Sequence, residues 1–154
     1  MGWSMAGQIG VQARLEAAAS LCMRRGQRFT LLRRAVFELV LTAGGPVTAY
    51  ELLERLRAGH QGATPATVYR ALEFLLAARL VHKVESLSAF IPCVDDEQHD
   101  HAAQFFICAR CGAVAEIEDR SMAQALAQAA ERLGFRVTAS MVEVSGVCAD
   151  CAAG

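Results

Sequence analysis

Apolar residues recur at three- and four-residue intervals through the first eighty positions and then give way to alternation, which predicts a helical block followed by strands. In VQARLEAAASLCMRRG (11–26), Leu15, Ala18, Ala19 and Cys22 form one stripe that ends in Arg-Arg-Gly, a helix C-terminal signature. FTLLRRAVFELVLTAGG (29–45) places Leu32, Val36, Leu39 and Val40 behind Thr30 as N-cap and stops at Gly44-Gly45-Pro46. Thr48-Ala49-Tyr50-Glu51 has the form of a capping box and opens a third helix that Gly59 closes. ATPATVYRALEFLLAARLV (63–81) starts a fourth with Thr64 as cap and Pro65 at the first helical position, running to about Ala78. LVHKVESLSAFIPC (80–93) then alternates on both sides of Glu85-Ser86-Leu87-Ser88, the pattern of a β-hairpin. Helices followed by a hairpin predict a winged helix-turn-helix.

The stretch VDDEQHDHAA (94–103) is polar, acidic and aperiodic, and marks a boundary. We expect a winged-helix domain over 1–88, a hinge at 89–93 and a second domain over 94–154. In the latter, QFFICARC and GAVAEIE predict strands, DRSMAQALAQAAERLG (119–134) an amphipathic helix ending at Gly134, and FRVTASMVEVSGVC (135–148) a third strand. The fold class is α+β: an N-terminal winged helix-turn-helix and a small α/β domain.

With 154 residues the chain has room for one ordinary domain or two small ones, near the size where extra staples help stability. Its 54% hydrophobic and 20% charged content is that of a globular protein, and no apolar run reaches the ~18–20 residues that span a membrane. MGWSMAGQIG lacks the cationic start and apolar core of a secretory signal, so a cytoplasmic, reducing environment is expected, where paired cysteines favour metal over disulfide. The net charge of −1 conceals a division. Residues 1–88 hold 11 Lys/Arg against 6 Asp/Glu, whereas 89–154 hold 4 against 10. A basic, nucleic-acid-facing half joined to an acidic half fits that asymmetry, although solvated charged faces are common.

Cys108 and Cys111 repeat the spacing of Cys148 and Cys151. Each Cys-x-x-Cys sets two thiolates on one tetrahedral edge, and two pairs complete a four-sulfur zinc site that leaves no position open to water or substrate. Such a site is structural and ties the end of the chain to the start of the acidic half. Iron–sulfur or rubredoxin-type iron shares the ligand set. Outside these pairs stand His82 in the hairpin, Cys93 at its end, His101 in the acidic loop and Glu116 in the strand after Cys111, with His99 an alternative to His101. Singly, each reads as a wing residue, a core thiol, a loop residue or a strand charge. Together they make a tetrahedral set whose sulfur favours zinc over manganese or ferrous ion.

On the fourth helix Val68, Leu72 and Leu75 form the inward stripe, which leaves Thr67, Tyr69, Arg70 and Glu73 outward, with Thr64 at the N-terminus. Arg70 is the candidate base contact, since a guanidinium can bond both major-groove acceptors of guanine. Tyr69 could reach a phosphate or a thymine methyl group, or pack partly into the core. Arg24, Arg25 and Arg28 could neutralise phosphates, as could Lys83 in the wing.

TPATVYRALEFL, LVHKVES, HDH, FFICARCGAV and CADC, in this order, resemble the ferric-uptake-regulator family, most closely its zinc-uptake-regulator branch, over about residues 12–151. The resemblance implies a homodimeric, zinc-responsive repressor with a winged helix and a C-terminal dimerisation domain, which binds palindromic operator DNA and represses zinc-uptake genes. It also implies two zinc ions per chain and no organic cofactor. Cys108, Cys111, Cys148 and Cys151 match the family's structural zinc site, while His82, Cys93, His101 and Glu116 match the zinc branch's sensing site. The TVYR element matches the segment that lies in the major groove. The loop departs from the pattern in holding only His99 and His101, which puts a further metal site in doubt. Rival readings are an iron, manganese or peroxide sensor of the same family, against which Cys93 argues, and a zinc hydrolase, for which no HExxH pattern exists. Cys22 is a spare thiol expected in helix packing.

Overall fold

A computed structural model describes residues 10–94 and 103–154, which form two compact units, one from each stretch. The first contains α1 (Val11–Arg24), α2 (Leu31–Thr42), β1 (Val47–Thr48), α3 (Ala49–Arg57), α4 (Pro65–Ala77), β2 (Val81–Val84), a 3-10 turn (Glu85–Leu87) and β3 (Ala89–Pro92).

Local chemistry sets its helix starts. Thr30 accepts the Arg33 N–H at 3.3 Å. Thr48 and Glu51 close a reciprocal box, with the Thr48 N–H donating to the Glu51 carboxylate at 2.8 Å and the Glu51 N–H to the Thr48 hydroxyl at 3.2 Å. Thr64 and Thr67 form a second box at 3.3 Å in each direction, with Pro65 at the first position of α4. At the far end of α4, Arg79 turns left-handed (φ 59°). There the Arg79 N–H bonds the Leu76 carbonyl at 3.0 Å and the Leu80 N–H the Leu75 carbonyl at 2.9 Å, a Schellman closure.

The core collects Leu15 and Ala18 from α1, Val36, Phe37 and Val40 from α2, Leu52, Leu53 and Leu56 from α3, Val68, Leu72 and Leu75 from α4, and Val81 and Phe90 from the wing. Cys22 is fully buried on α1, and burial pushes its thiol above the usual range, as expected of a packing residue. The sheet order is β1-β3-β2, with Val47 opposite Phe90 and His82 opposite Ile91. Residues 89–92, expected as part of a hinge, form its middle strand. The two-residue β1 is too short to show a period in the sequence.

The second unit contains β4 (Ala103–Cys108), β5 (Val114–Ile117), α5 (Arg120–Arg132), β6 (Met141–Gly146) and α6 (Ala149–Ala153). Its central β4 is antiparallel to β5 and parallel to β6, so α5 lies on the connection from one edge of the sheet to the other. The third strand, expected from residue 135, begins at Met141, because the chain closes α5 with Gly134 at φ 64° and uses 135–140 to reach the far side of β4. Buried Gln104 clasps the start of α5, donating to the Asp119 carbonyl at 3.0 Å and accepting the Asp119 N–H at 3.1 Å. Asp119 in turn caps α5 by accepting the Ser121 N–H at 2.7 Å. Although α5 is amphipathic, none of its residues is buried; Leu133 and Phe135 are 81% and 67% exposed, and Leu126, Val137, Met141, Val144 and Val147 are also exposed. Among the described residues no helix is long and apolar enough to cross a membrane.

Candidate metal centre and nucleic-acid interface

Cys108 ends β4, and the chain turns at once: Gly112, at φ 73°, donates to the Cys108 carbonyl at 2.9 Å, and the Cys108 N–H bonds the Ala113 carbonyl at 2.8 Å. The turn holds Cys111 beside Cys108. Because β6 runs parallel to β4 with Gly146 opposite Cys108, its end delivers Cys148 and then Cys151, on α6, to the same place. All four sulfurs lie within 4.8 Å of one another. The Cys148 N–H points at the Cys108 sulfur at 3.4 Å, and the Cys111 and Cys148 sulfurs are 3.8 Å apart. A tetrahedron with zinc–sulfur bonds of about 2.3 Å has edges of about 3.8 Å, so the donor set fits a zinc ion. None of the six cysteines is in a disulfide.

The electrostatics agree. N–H groups of Cys111 and Cys148 hold the Cys108 thiol at about 6, whereas sulfur–sulfur hydrogen bonds from Cys148 and Cys111 push Cys151 up to about 12. The Cys108 thiolate forms readily, and its neighbourhood pushes Cys111 and Cys151 up, so a dication at the centre favours ionising them together.

Of the second candidate set, the structure brings together His82 and Cys93. The hairpin register sets Leu80 against Cys93 and His82 against Ile91, so His82 and Cys93 are diagonal neighbours on one face, with ring nitrogen and sulfur within 4.8 Å. Cys93 is buried and His82 half-buried. Glu116 lies on β5 of the other unit, half-buried and opposite Phe105. His99 and His101 lie outside the described residues.

On α4, Val68, Leu72 and Leu75 are fully buried, as the stripe predicts, and Tyr69 (55%), Arg70, Glu73 and Thr64 are exposed. Thr67 is half-buried, and its hydroxyl is occupied with Thr64 at 2.9 Å, so helix capping takes the group expected to face outward. Arg24, Arg25 and Arg28 are exposed after α1, where Arg25 also reaches the Ala78 carbonyl at 3.4 Å. Arg33 donates to the Arg28 carbonyl and stacks over Phe74 of α4 at 3.8 Å, tying the basic loop to that helix. Lys83 pairs with Glu85 at 2.9 Å. Tyr50, in the first turn of α3, is 72% exposed.

The ferric uptake regulator family's sequence profile matches residues 24–145. The zinc uptake regulation protein of Escherichia coli (strain K12) is 39% identical over 140 residues, covering 91% of this chain and 82% of that protein. A solved zinc uptake regulator complexed with zinc and DNA superposes with a TM-score of 0.89 at 38% identity, covering 93% of this chain and 95% of the other. The holo form of a regulator called XcZur does so at 0.83 and 44% identity, covering 91% and 97%. With a family profile over residues 24–145 and a relative 39% identical over 91% of this chain, the chain belongs to the ferric uptake regulator family.

Proposed function

We propose that this chain is a cytoplasmic, zinc-responsive transcriptional repressor and not an enzyme, which binds palindromic operator DNA as a zinc-loaded homodimer and represses zinc-uptake genes. The observation that carries the reading is the adjacency of His82 and Cys93 on one face of the hairpin, in a chain 39% identical to a zinc uptake regulation protein. A thiolate beside an imidazole favours zinc over harder ferrous or manganous ion.

In this reading Cys108, Cys111, Cys148 and Cys151 hold a structural zinc, and His82, Cys93, His101 and Glu116 a regulatory one, with His99 as alternative loop ligand. Zinc, when bound at the second set, supplies a differential free energy that favours one domain arrangement over others. The protein's own groups do the rest. Arg70 reads a guanine edge, and Tyr69 and Thr64 contact backbone or base methyl groups beside it. Thr67 supports the helix start, and Arg25, Arg28 and Lys83 engage phosphates. The uncovered apolar residues of α5 and its flanks, Leu133 and Phe135 foremost, support pairing with a second copy through the C-terminal unit. Two winged helices in a dimer match two half-sites of a palindrome. The test is metal analysis with DNA binding: two zinc ions per chain at saturation, one resistant to mild chelation, and operator affinity that follows the labile one.

A further inference from the structure

Arg14 lies on α1, half-buried, and its guanidinium donates to the backbone carbonyl of Cys93, 79 residues away. The reason that carbonyl takes a side-chain donor is visible in the ladder. Leu80 faces Cys93 across the hairpin and accepts the Cys93 N–H at 3.0 Å. In a regular antiparallel pair the Leu80 N–H would return the bond to the Cys93 carbonyl. Here that N–H is committed to Leu75 at 2.9 Å, as the Schellman closure of α4 requires. Arg14 supplies the donor that the recognition helix has withdrawn.

We propose that Arg14 is a positioning residue for the metal-sensing thiolate of Cys93. It fixes the Cys93 carbonyl while Leu80 holds the Cys93 N–H, and a Cys93 backbone held at both groups sets the direction of the sulfur toward His82. It also places a permanent cation beside a ligand that becomes anionic when it binds metal. Arg14, Cys93, Leu80 and Leu75 thus form one continuous run of hydrogen bonds from α1 through the sensing cysteine to the last turn of the DNA-reading helix. The inference rests on the zinc-sensing role proposed above for Cys93.

The test uses full-length protein holding one zinc per chain and two readouts that do not involve DNA. These are competition of a chromophoric chelator for the second zinc, and the thiolate-to-cobalt charge-transfer band when cobalt(II) replaces it. Arg14→Ala is expected to weaken the second site by about tenfold or more and to shift the cobalt band, with the first zinc and the far-ultraviolet circular dichroism unchanged. Arg14→Lys should recover part of the affinity. Should alanine disturb the fold, Arg14→Met, which keeps the length of the side chain but has neither donor nor charge, is read the same way. Variants that match the wild type in affinity and spectrum while Cys93→Ser has lost the second zinc overturn the role of Arg14 alone. A wild-type chain with no second zinc, or a Cys93→Ser chain that binds it normally, overturns the sensing site and the role of Arg14 with it.

Discussion

Cys111 and Cys148, 37 residues apart in sequence, bring their sulfurs to 3.8 Å, the edge length of a zinc–thiolate tetrahedron. Around this pair, the Ala109 N–H donates to the Gly146 carbonyl at 2.8 Å and Arg110 to the Cys151 carbonyl at 2.7 Å, so the four sulfurs sit where the β4–β5 turn already meets the end of β6. The second unit has little of its own to compensate with, since α5 buries no residue. Cys111→Ser or Cys148→Ser is therefore expected to release the chelation-resistant zinc and to melt the C-terminal unit, while the N-terminal unit keeps its helical signal. Zinc content per chain and circular dichroism check this. A variant that retains both zinc and fold would remove the structural role from the four sulfurs.

Arg70 is exposed on α4 above a fully buried stripe, and Arg28 sits in the basic loop that Arg33 ties to the same helix. Arg70→Ala should cost about 1–3 kcal/mol of operator binding and relax discrimination at one base position. Arg28→Ala should weaken all sequences alike and lower the salt slope by about one. Anisotropy titrations on operator and scrambled duplexes at several salt concentrations separate the two roles.

Leu72 is fully buried where α4 meets the rest of the N-terminal core. Leu72→Ala should lower stability by about 2–5 kcal/mol, read as an earlier urea midpoint, without altering the C-terminal zinc.

The N–H and hydroxyl of Thr48 hold the Glu51 carboxyl below the usual carboxylate range. A carboxylate whose folded value is lowered adds stability above its unfolded value and loses it as pH falls through the folded one. Wild-type stability should thus decline in acid below the ordinary carboxylate range by more than that of Glu51→Gln, with a small difference because Glu51 is exposed. Thr48→Ala, which removes the cap itself, should cost about 1 kcal/mol at neutral pH. Thermal unfolding across a pH series decides both.

The parts legible in the sequence are those written in local chemistry. Thr30, Thr48 with Glu51, and Thr64 with Pro65 each mark a helix start that the structure repeats to the residue. The Val68, Leu72 and Leu75 stripe states which face of α4 is hidden, and the cysteine spacing states that four thiols meet. What escaped depends on tertiary partners. The two-residue β1 is too short to carry a period, and α6 is a single turn. The bond from Arg14 to Cys93 exists because Leu80 is engaged elsewhere, and the Gln104 clasp on Asp119 needs the pairing of β4 with β5 to bring the two together. The pattern of α4 puts Thr67 outward, but its hydroxyl serves the capping box. The outward apolar residues of α5 scan as an ordinary amphipathic face, and only the structure shows that this chain alone leaves them uncovered.

The most direct measurement is fluorescence anisotropy of labelled palindromic operator DNA with protein that retains one zinc per chain, titrated with buffered free zinc and, in parallel, with manganese and ferrous ion. A zinc-responsive repressor should bind DNA at far lower free zinc than free manganese or iron, and Cys93→Ser should abolish the zinc response. Binding that ignores zinc, follows iron or manganese, or survives unchanged in Cys93→Ser would contradict it.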